Sequence, residues 1–295
     1  MRILHLDSGT EMRGGQWQVL RLIEALNAGG HENILLARAE SPLFAQARRR
    51  GLEVHARGLL SLARRSRKVD VTHAHDARSH TAAAITEAPH LVVSRRVAFP
   101  VRQNPVSRLK YGRAAHYIAV SHYVERMLRE AGIAPSKITV VYDGVPARPL
   151  SHGEDILVIE SQDPAKGMAL AIEGAKRAGF PVHVSCDLEG DLAHAGVLLY
   201  ITYSEGLGSA ALAAMSAGVP VIASRVGGLP EIVEHERTGL LTENTAEAIA
   251  AAVGRLMRDR SLAQSMAVEA RCRAQQRFSV EQMTAATIRV YEAVR

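Results

Sequence analysis

Tyr203-Ser204-Glu205-Gly206-Leu207-Gly208-Ser209 leads into a helical stretch reaching Met215, and Gly218-Val219-Pro220-Val221-Ile222-Ala223 follows directly. An aliphatic run at 197–202 ends just before it, so the order reads strand, loop, helix, strand. The loop carries one carboxylate and two closely spaced glycines. Glycine lets backbone approach a ligand closely, and a helix start presents unpaired N–H groups to an anion. The same pattern also fits an ordinary strand-to-helix turn.

The rhythm continues in both directions. Short aliphatic runs at 3–7, 33–37, 52–56, 69–74, 91–94, 117–120 and 138–142 read as strands. Helical spacing at 15–27, 102–114 and 121–131 separates some of them. After a Gly- and Pro-bearing break at 143–149, strands follow at 156–159, 182–185, 197–202 and 219–223. Helices follow at 245–257, 262–275 and 280–294. Such alternation predicts an α/β fold with parallel sheets covered by helices, whose strand carboxyl ends gather at the ligand-binding edge.

The chain has 295 residues, enough for two domains. Hydrophobic residues make up 47% but aromatics only 4%, so the cores rest on aliphatic side chains, as in sheets buried on both faces. Cys186 and Cys272 stand far apart, which suggests no disulfide framework and suits a reducing cytoplasm. No run approaches the ~20 apolar residues of a membrane span. The opening Met1-Arg2-Ile3-Leu4 reads as a strand rather than a signal peptide.

The formal net charge of +6 favours anionic partners. Basic clusters fall at Arg48-Arg49-Arg50, at Arg64-Arg65-Ser66-Arg67-Lys68 and at Arg95-Arg96. The second suits either peripheral contact with an anionic membrane or a solvated face. No aromatic side chains interleave with these charges, so nucleic acid is not an expected partner.

Two further features sit at expected strand ends. Met12-Arg13-Gly14-Gly15-Gln16 opens the first helix, and the Gly14 and Gly15 amides offer a phosphate seat. The spacing lacks the three-glycine dinucleotide fingerprint, which excludes a Rossmann oxidoreductase. In Asp70-Val71-Thr72-His73-Ala74-His75-Asp76 the two histidines share a strand face. A metal pair would need a third ligand that this segment does not supply. Packing or substrate hydrogen bonding is expected instead, and no metal.

These segments in this order resemble the family 4 glycosyltransferases. The resemblance covers the Gly14-Gly15 opening, Asp70 to His75, Ile118-Ala119-Val120-Ser121, residues 137–145, Lys166-Gly167 and the block from Ser204 to Val233. It implies the GT-B fold, two doubly wound Rossmann-like domains facing across a cleft. Residues 1–148 would form an acceptor-side domain and 149–278 a nucleotide-sugar domain, with 279–295 a helix returning to the first. The short stretch between Val182 and Val197 predicts a shortened second domain.

The resemblance also implies metal-independent, anomer-retaining transfer of a sugar from a nucleotide-diphosphate sugar, with no further cofactor, to a glycan or lipid-linked acceptor. A cytoplasmic location follows, at or near the inner membrane face. Lys166 would hold the diphosphate and Glu205 the sugar hydroxyls. The backbone of Gly206, Leu207, Gly208 and Ser209 would complete the cradle, with Arg13, Gly14, Gly15 and His75 across from it. Two positions depart from the pattern: the second carboxylate of Glu-x7-Glu falls on Ala213, and an arginine falls on Ser161. Arg95, Arg96 or Arg13 is expected to replace the lost positive charge. The alternative is a catalytically impaired GT-B protein that serves as a nucleotide-sugar-binding or partner module.

Overall fold

The computed structural model describes residues 1–102 and 104–295. The chain divides into two compact units: Met1–Gly144 with Val280–Arg295, and Val145–Ser279. Each is a parallel sheet flanked by helices. Among the described residues, no helix is long and apolar enough to cross a membrane.

In the first unit the strands are β1 (Arg2–Leu6), β2 (Glu32–Ala37), β3 (Val54–Ala56), β4 (Val71–Ala74), β5 (Leu91–Arg95), β6 (His116–Ala119) and β7 (Ile138–Val140). Their order is β3-β2-β1-β4-β5-β6-β7. Strand order therefore reverses between β1 and β4, the switch point beside which open α/β sheets bind ligands. There Leu4 pairs with Thr72 and His5 with His73. The helix Gly14–Ala28 buries Val19, Leu20, Leu22, Ile23 and Leu26. Each such side chain is worth ~1.5–3 kcal/mol when fully buried. The helix Val280–Val294 adds Met283, Val290 and Tyr291 to a core with Ile3, Leu22, Leu26, Val71, Val92 and Ile118.

The second unit holds β8 (Asp155–Ile159), β9 (His183–Ser185), β10 (Ala195–Tyr200), β11 (Val221–Ser224) and β12 (Gly239–Thr242). Their order is β12-β11-β10-β8-β9. This five-stranded sheet is smaller than the seven-stranded one, as the short 182–197 stretch leads one to expect. Its core joins Ile156, Val158, Val197, Leu199, Ile222 and Leu240 to Ile249, Val253 and Leu256 of the helix Ala246–Arg258.

Several boundaries differ from the sequence reading for local reasons. The helix expected at 102–114 occupies Pro105–Gly112. Asn104 caps it, accepting from Ser107 N at 2.8 Å, and Pro105 suits the first helical position. Gln103, inside the expected span, lies outside the described residues. The strand expected from Val219 begins at Val221, because Pro220 has no N–H for the ladder. β12 was not expected at all. Only four residues long, it follows a polar turn, and it forms because β11 offers a free edge to Gly239 through Thr242.

Candidate functional site

In the second unit the carboxyl ends of β8 and β10 bring Lys166 and Glu205 together. Lys166 closes a short turn, Pro164–Lys166, and Gly167 follows with φ 62°. A Cβ on Gly167 would lie 2.8 Å from the Ile201 carbonyl, so only glycine lets this turn press against the end of β10. Tyr203 N and Thr202 Oγ1 donate to the Ala165 carbonyl at 2.9 and 3.1 Å, stitching the two segments together. The Lys166 ammonium then donates to Glu205 Oε2 at 3.0 Å. Tyr200 Oη donates to the same oxygen at 2.7 Å, and Gly206 N to Oε1 at 3.1 Å. Lys166 is 41% exposed and Glu205 16%, so the ammonium is the freer of the two.

The Glu205 backbone is held from behind. Gly228 N donates to the Glu205 carbonyl at 3.1 Å. A Cβ on Gly227 would meet that oxygen at 1.9 Å, and one on Gly228 would meet the Gly206 carbonyl at 2.2 Å. Gly208, at φ 112°, caps the helix Ser209–Ser216. Leu207 is buried, so it offers a ligand backbone only. Ala213 lies buried within that helix. Ser161 Oγ accepts from Asp163 N at 3.2 Å and carries no charge.

In the first unit, Arg13 precedes the helix Gly14–Ala28. It is 76% exposed and paired with Glu11. Gly14 is exposed and Gly15 half-buried; a Cβ on Gly15 would sit 3.6 Å from Arg96 Cδ, so the Arg96 side chain runs beside this helix start. Arg96 is ion-paired with Asp143; the carboxylate is buried and the Arg96 side chain is 15% exposed. Burial lowers the Arg96 guanidinium to about 10, against the pull of Asp7. Asp7 is itself raised, chiefly by burial, although Gly9 N and Gln16 Nε2 donate to it. Arg95 donates to Tyr111 Oη at 2.8 Å and to the Phe99 carbonyl. The expectation that an arginine replaces the missing charge therefore meets a constraint. Arg95 and Arg96 are engaged inside the first unit, and Arg13 alone of the three is exposed.

The histidine pair gains a third member that β4 alone could not reveal. His5 of β1, His73 and His75 are all buried, with ring nitrogens within 4.8 Å of one another. Their hydrogen bonds define a network. Asn33 Nδ2 donates to Asn27 Oδ1 and to the His31 carbonyl, which turns Asn33 Oδ1 toward His5 Nε2 at 3.0 Å. His5 therefore carries its proton on Nε2, and its bare Nδ1 accepts from His75 Nε2 at 3.0 Å. Both His73 nitrogens are engaged, with Tyr291 Oη at 2.6 Å and Ser94 Oγ at 2.8 Å. Burial pushes His5 down to about 4, and His73 and His75 well below their usual value. His75, expected at the substrate, is only 4% exposed and serves this network.

Comparisons with known proteins agree with this architecture. Residues 154–273 match the family Glycosyl transferases group 1, and residues 12–148 match Glycosyltransferase Family 4. The N-acetyl-alpha-D-glucosaminyl L-malate synthase of Bacillus anthracis is 33% identical over 101 residues, 34% of this chain and 26% of that protein. The GDP-mannose-dependent alpha-(1-6)-phosphatidylinositol monomannoside mannosyltransferase of Mycobacterium tuberculosis (strain CDC 1551 / Oshkosh) is 46% identical over 68 residues, 23% and 18% of the two chains. The alpha-maltose-1-phosphate synthase of Mycolicibacterium smegmatis is 30% identical over 190 residues, 62% of this chain and 46% of its own length. The matches thus span less than half of each of these relatives.

Among solved structures, Anabaena HepE in complex with UDP and glucose superposes with TM-score 0.85 at 17% identity. That match covers 99% of this chain and 100% of the other. Sucrose-phosphate synthase from Thermosynechococcus elongatus gives 0.75 at 20% identity, covering 99% and 98%. With two family matches in chain order and a GT-B architecture in both sheets, the chain belongs to the family 4 glycosyltransferases of GT-B fold.

Proposed function

We propose that the protein transfers a sugar from a nucleotide-diphosphate sugar to a glycan or lipid-linked acceptor, with retention at the anomeric carbon and no essential metal. The observation that carries this is the Lys166–Glu205 pair at the start of the helix Ser209–Ser216. As the bond to the anomeric carbon breaks, the diphosphate gains negative charge and the sugar becomes cationic. Lys166 is exposed enough to turn from Glu205 toward that diphosphate. The helix start adds its positive dipole end. Glu205, the less exposed partner, then accepts from sugar hydroxyls.

The acceptor reading is supported in the first unit by a cavity of about 350 Å³ at the carboxyl ends of β1 and β2. Leu6, Leu36, Leu59 and Leu62 line it together with Arg38 and Arg57, and among the described residues no carboxylate does. Such a lining suits an anionic, partly apolar molecule. Exposed Leu59 and Leu60 beside Arg64, Arg67 and Lys68 support contact with an anionic membrane face. A second reading, a binding module without turnover, is favoured by Ala213 and Ser161, which supply neither a carboxylate nor a cation.

Calorimetric titration against UDP, GDP and ADP tests the proposal. One nucleotide should bind, and Lys166→Ala should weaken it roughly ten- to a hundredfold, the worth of a charge-assisted hydrogen bond. Silence across the panel would overturn donor binding. Binding without sugar transfer would favour the module, and inversion seen by NMR of the product would refute retention.

A further inference from the structure

We propose that Tyr200 is a positioning residue for Glu205, holding its carboxylate in one orientation both when Lys166 is paired with it and when Lys166 has turned to a diphosphate. The proposal rests on reading these two residues as donor contacts. Tyr200 ends β10, five residues before Glu205, and the turn between them is pinned through Thr202 and Tyr203 to the Ala165 carbonyl. Its ring lies over Gly208, where a Cβ would stand 3.5 Å from Tyr200 Cε1. The hydroxyl is therefore presented from packed structure, with only two side-chain torsions to fix.

The two oxygens of Glu205 are not equivalent. Tyr200 Oη and Lys166 Nζ converge on Oε2, while the Gly206 amide takes Oε1. Among the described residues no side chain donates to Oε1. Oε1 is thus the oxygen left to receive a sugar hydroxyl. When the Lys166 ammonium swings to an incoming diphosphate, Oε2 would lose the one cation paired with it among the described residues. Tyr200 remains, so Oε1 keeps its aim.

Burial, and then the Glu205 charge, push the Tyr200 hydroxyl well above its usual range, so it remains a donor. Neither Ser161 nor Ala213 offers Glu205 a substitute, and Tyr200 is the second side-chain anchor the carboxylate has.

Tyr200→Phe keeps the ring and removes the donor. In protein labelled with ¹³C at the glutamate carboxyl, the Glu205 resonance is identified by its loss in Glu205→Gln. Saturating UDP should leave it nearly in place in the native protein and move it in Tyr200→Phe. By calorimetry, UDP itself should bind Tyr200→Phe within about twofold of native, while the extra affinity of UDP-glucose over UDP falls about tenfold or more. An unchanged resonance, or an unchanged UDP-glucose to UDP ratio, would overturn the proposal.

If native protein binds neither ligand, GDP or ADP and its glucose conjugate take their place, and silence across all three nucleotides makes the donor reading fail separately. The positioning role is then decided without ligand, by comparing Lys166→Met with and without Tyr200→Phe. A carboxyl resonance identical in the two refutes it; a displaced one sustains it. Should Tyr200→Phe not fold, 3-fluorotyrosine incorporation keeps the ring and makes the hydroxyl a stronger donor. A stationary Glu205 resonance would then refute the proposal.

Discussion

Replacing Gly227 by alanine isolates how far the site depends on backbone meeting backbone. At φ 58° an L side chain in this left-handed conformation costs ~1–2 kcal/mol. The new Cβ would also stand 1.9 Å from the Glu205 carbonyl oxygen, which has no rotamer by which to retreat. Making room means displacing the 205–206 backbone and losing the Gly228 N to Glu205 carbonyl bond. By the scale of overpacked interiors, that adds ~1–3 kcal/mol. Gly179→Ala is the control: its φ is 86°, but nothing lies within 4 Å of its Cβ position. Alanine stiffens the unfolded chain by ~0.4–1 kcal/mol in both variants, so that term cancels in the comparison.

At roughly 3 °C per kcal/mol for a domain of this size, Gly227→Ala should lower the unfolding midpoint by ~6–15 °C and Gly179→Ala by ~3–6 °C. Differential scanning calorimetry of the full chain reads both. Donor-dependent activity should fall about a hundredfold in Gly227→Ala, because a shift of about 1 Å is enough to spoil alignment, and hold in Gly179→Ala. Equal melting of the two variants would show that the Glu205 carbonyl does not press on Gly227, and the account of the site's backing would be wrong.

Two other outcomes follow from the first unit. Arg96→Ala removes the guanidinium paired with buried Asp143 and should cost ~1.5–3 kcal/mol by urea titration, whereas Arg13→Ala, at an exposed pair, should stay within ~0.5 kcal/mol. The histidine network sets an acid limit. His5 titrates near 4 when folded against 6.5 unfolded, so between those values the unfolded chain takes the extra proton and acid favours unfolding. Stability is full above pH 6.5 and falls toward pH 4, by ~3 kcal/mol from His5 alone. Urea midpoints across that window should show the slope, and His5→Gln should flatten it; an equal slope in the variant would exclude His5 as the cause.

The sequence made some of this readable and hid the rest for identifiable reasons. Glu205 and the glycines around it stood out because loop, helix and strand fall in one local pattern, whereas Lys166, 39 residues earlier, was visible only through the family resemblance. Period-two spacing placed His73 and His75 on one face. His5 escaped notice because its partnership with them arises from the pairing of β1 with β4, a contact across about 70 residues of sequence. Arg95 and Arg96 read as free charge, since only the fold shows Tyr111, Phe99 and Asp143 closing around them. Tyr200 looked like a strand residue; its hydroxyl matters because the turn to Glu205 doubles back. Gly227 and Gly228 belonged to a recognisable motif, but their need to be glycine lies in the approach of the Glu205–Gly206 backbone.

The order of the two units along the chain has a consequence for synthesis. Val145 N donates to the Phe278 carbonyl, and Val145 bridges to Ser279, so the second unit is one uninterrupted segment with its ends joined. The first unit receives Met283, Val290 and Tyr291 only from the final helix. On the ribosome, the second unit is thus able to finish folding first, while the first waits with an open core for the helix Val280–Val294 to emerge. A premature stop after Ser279 would spare the sheet around Glu205 and leave His73 without its tyrosine.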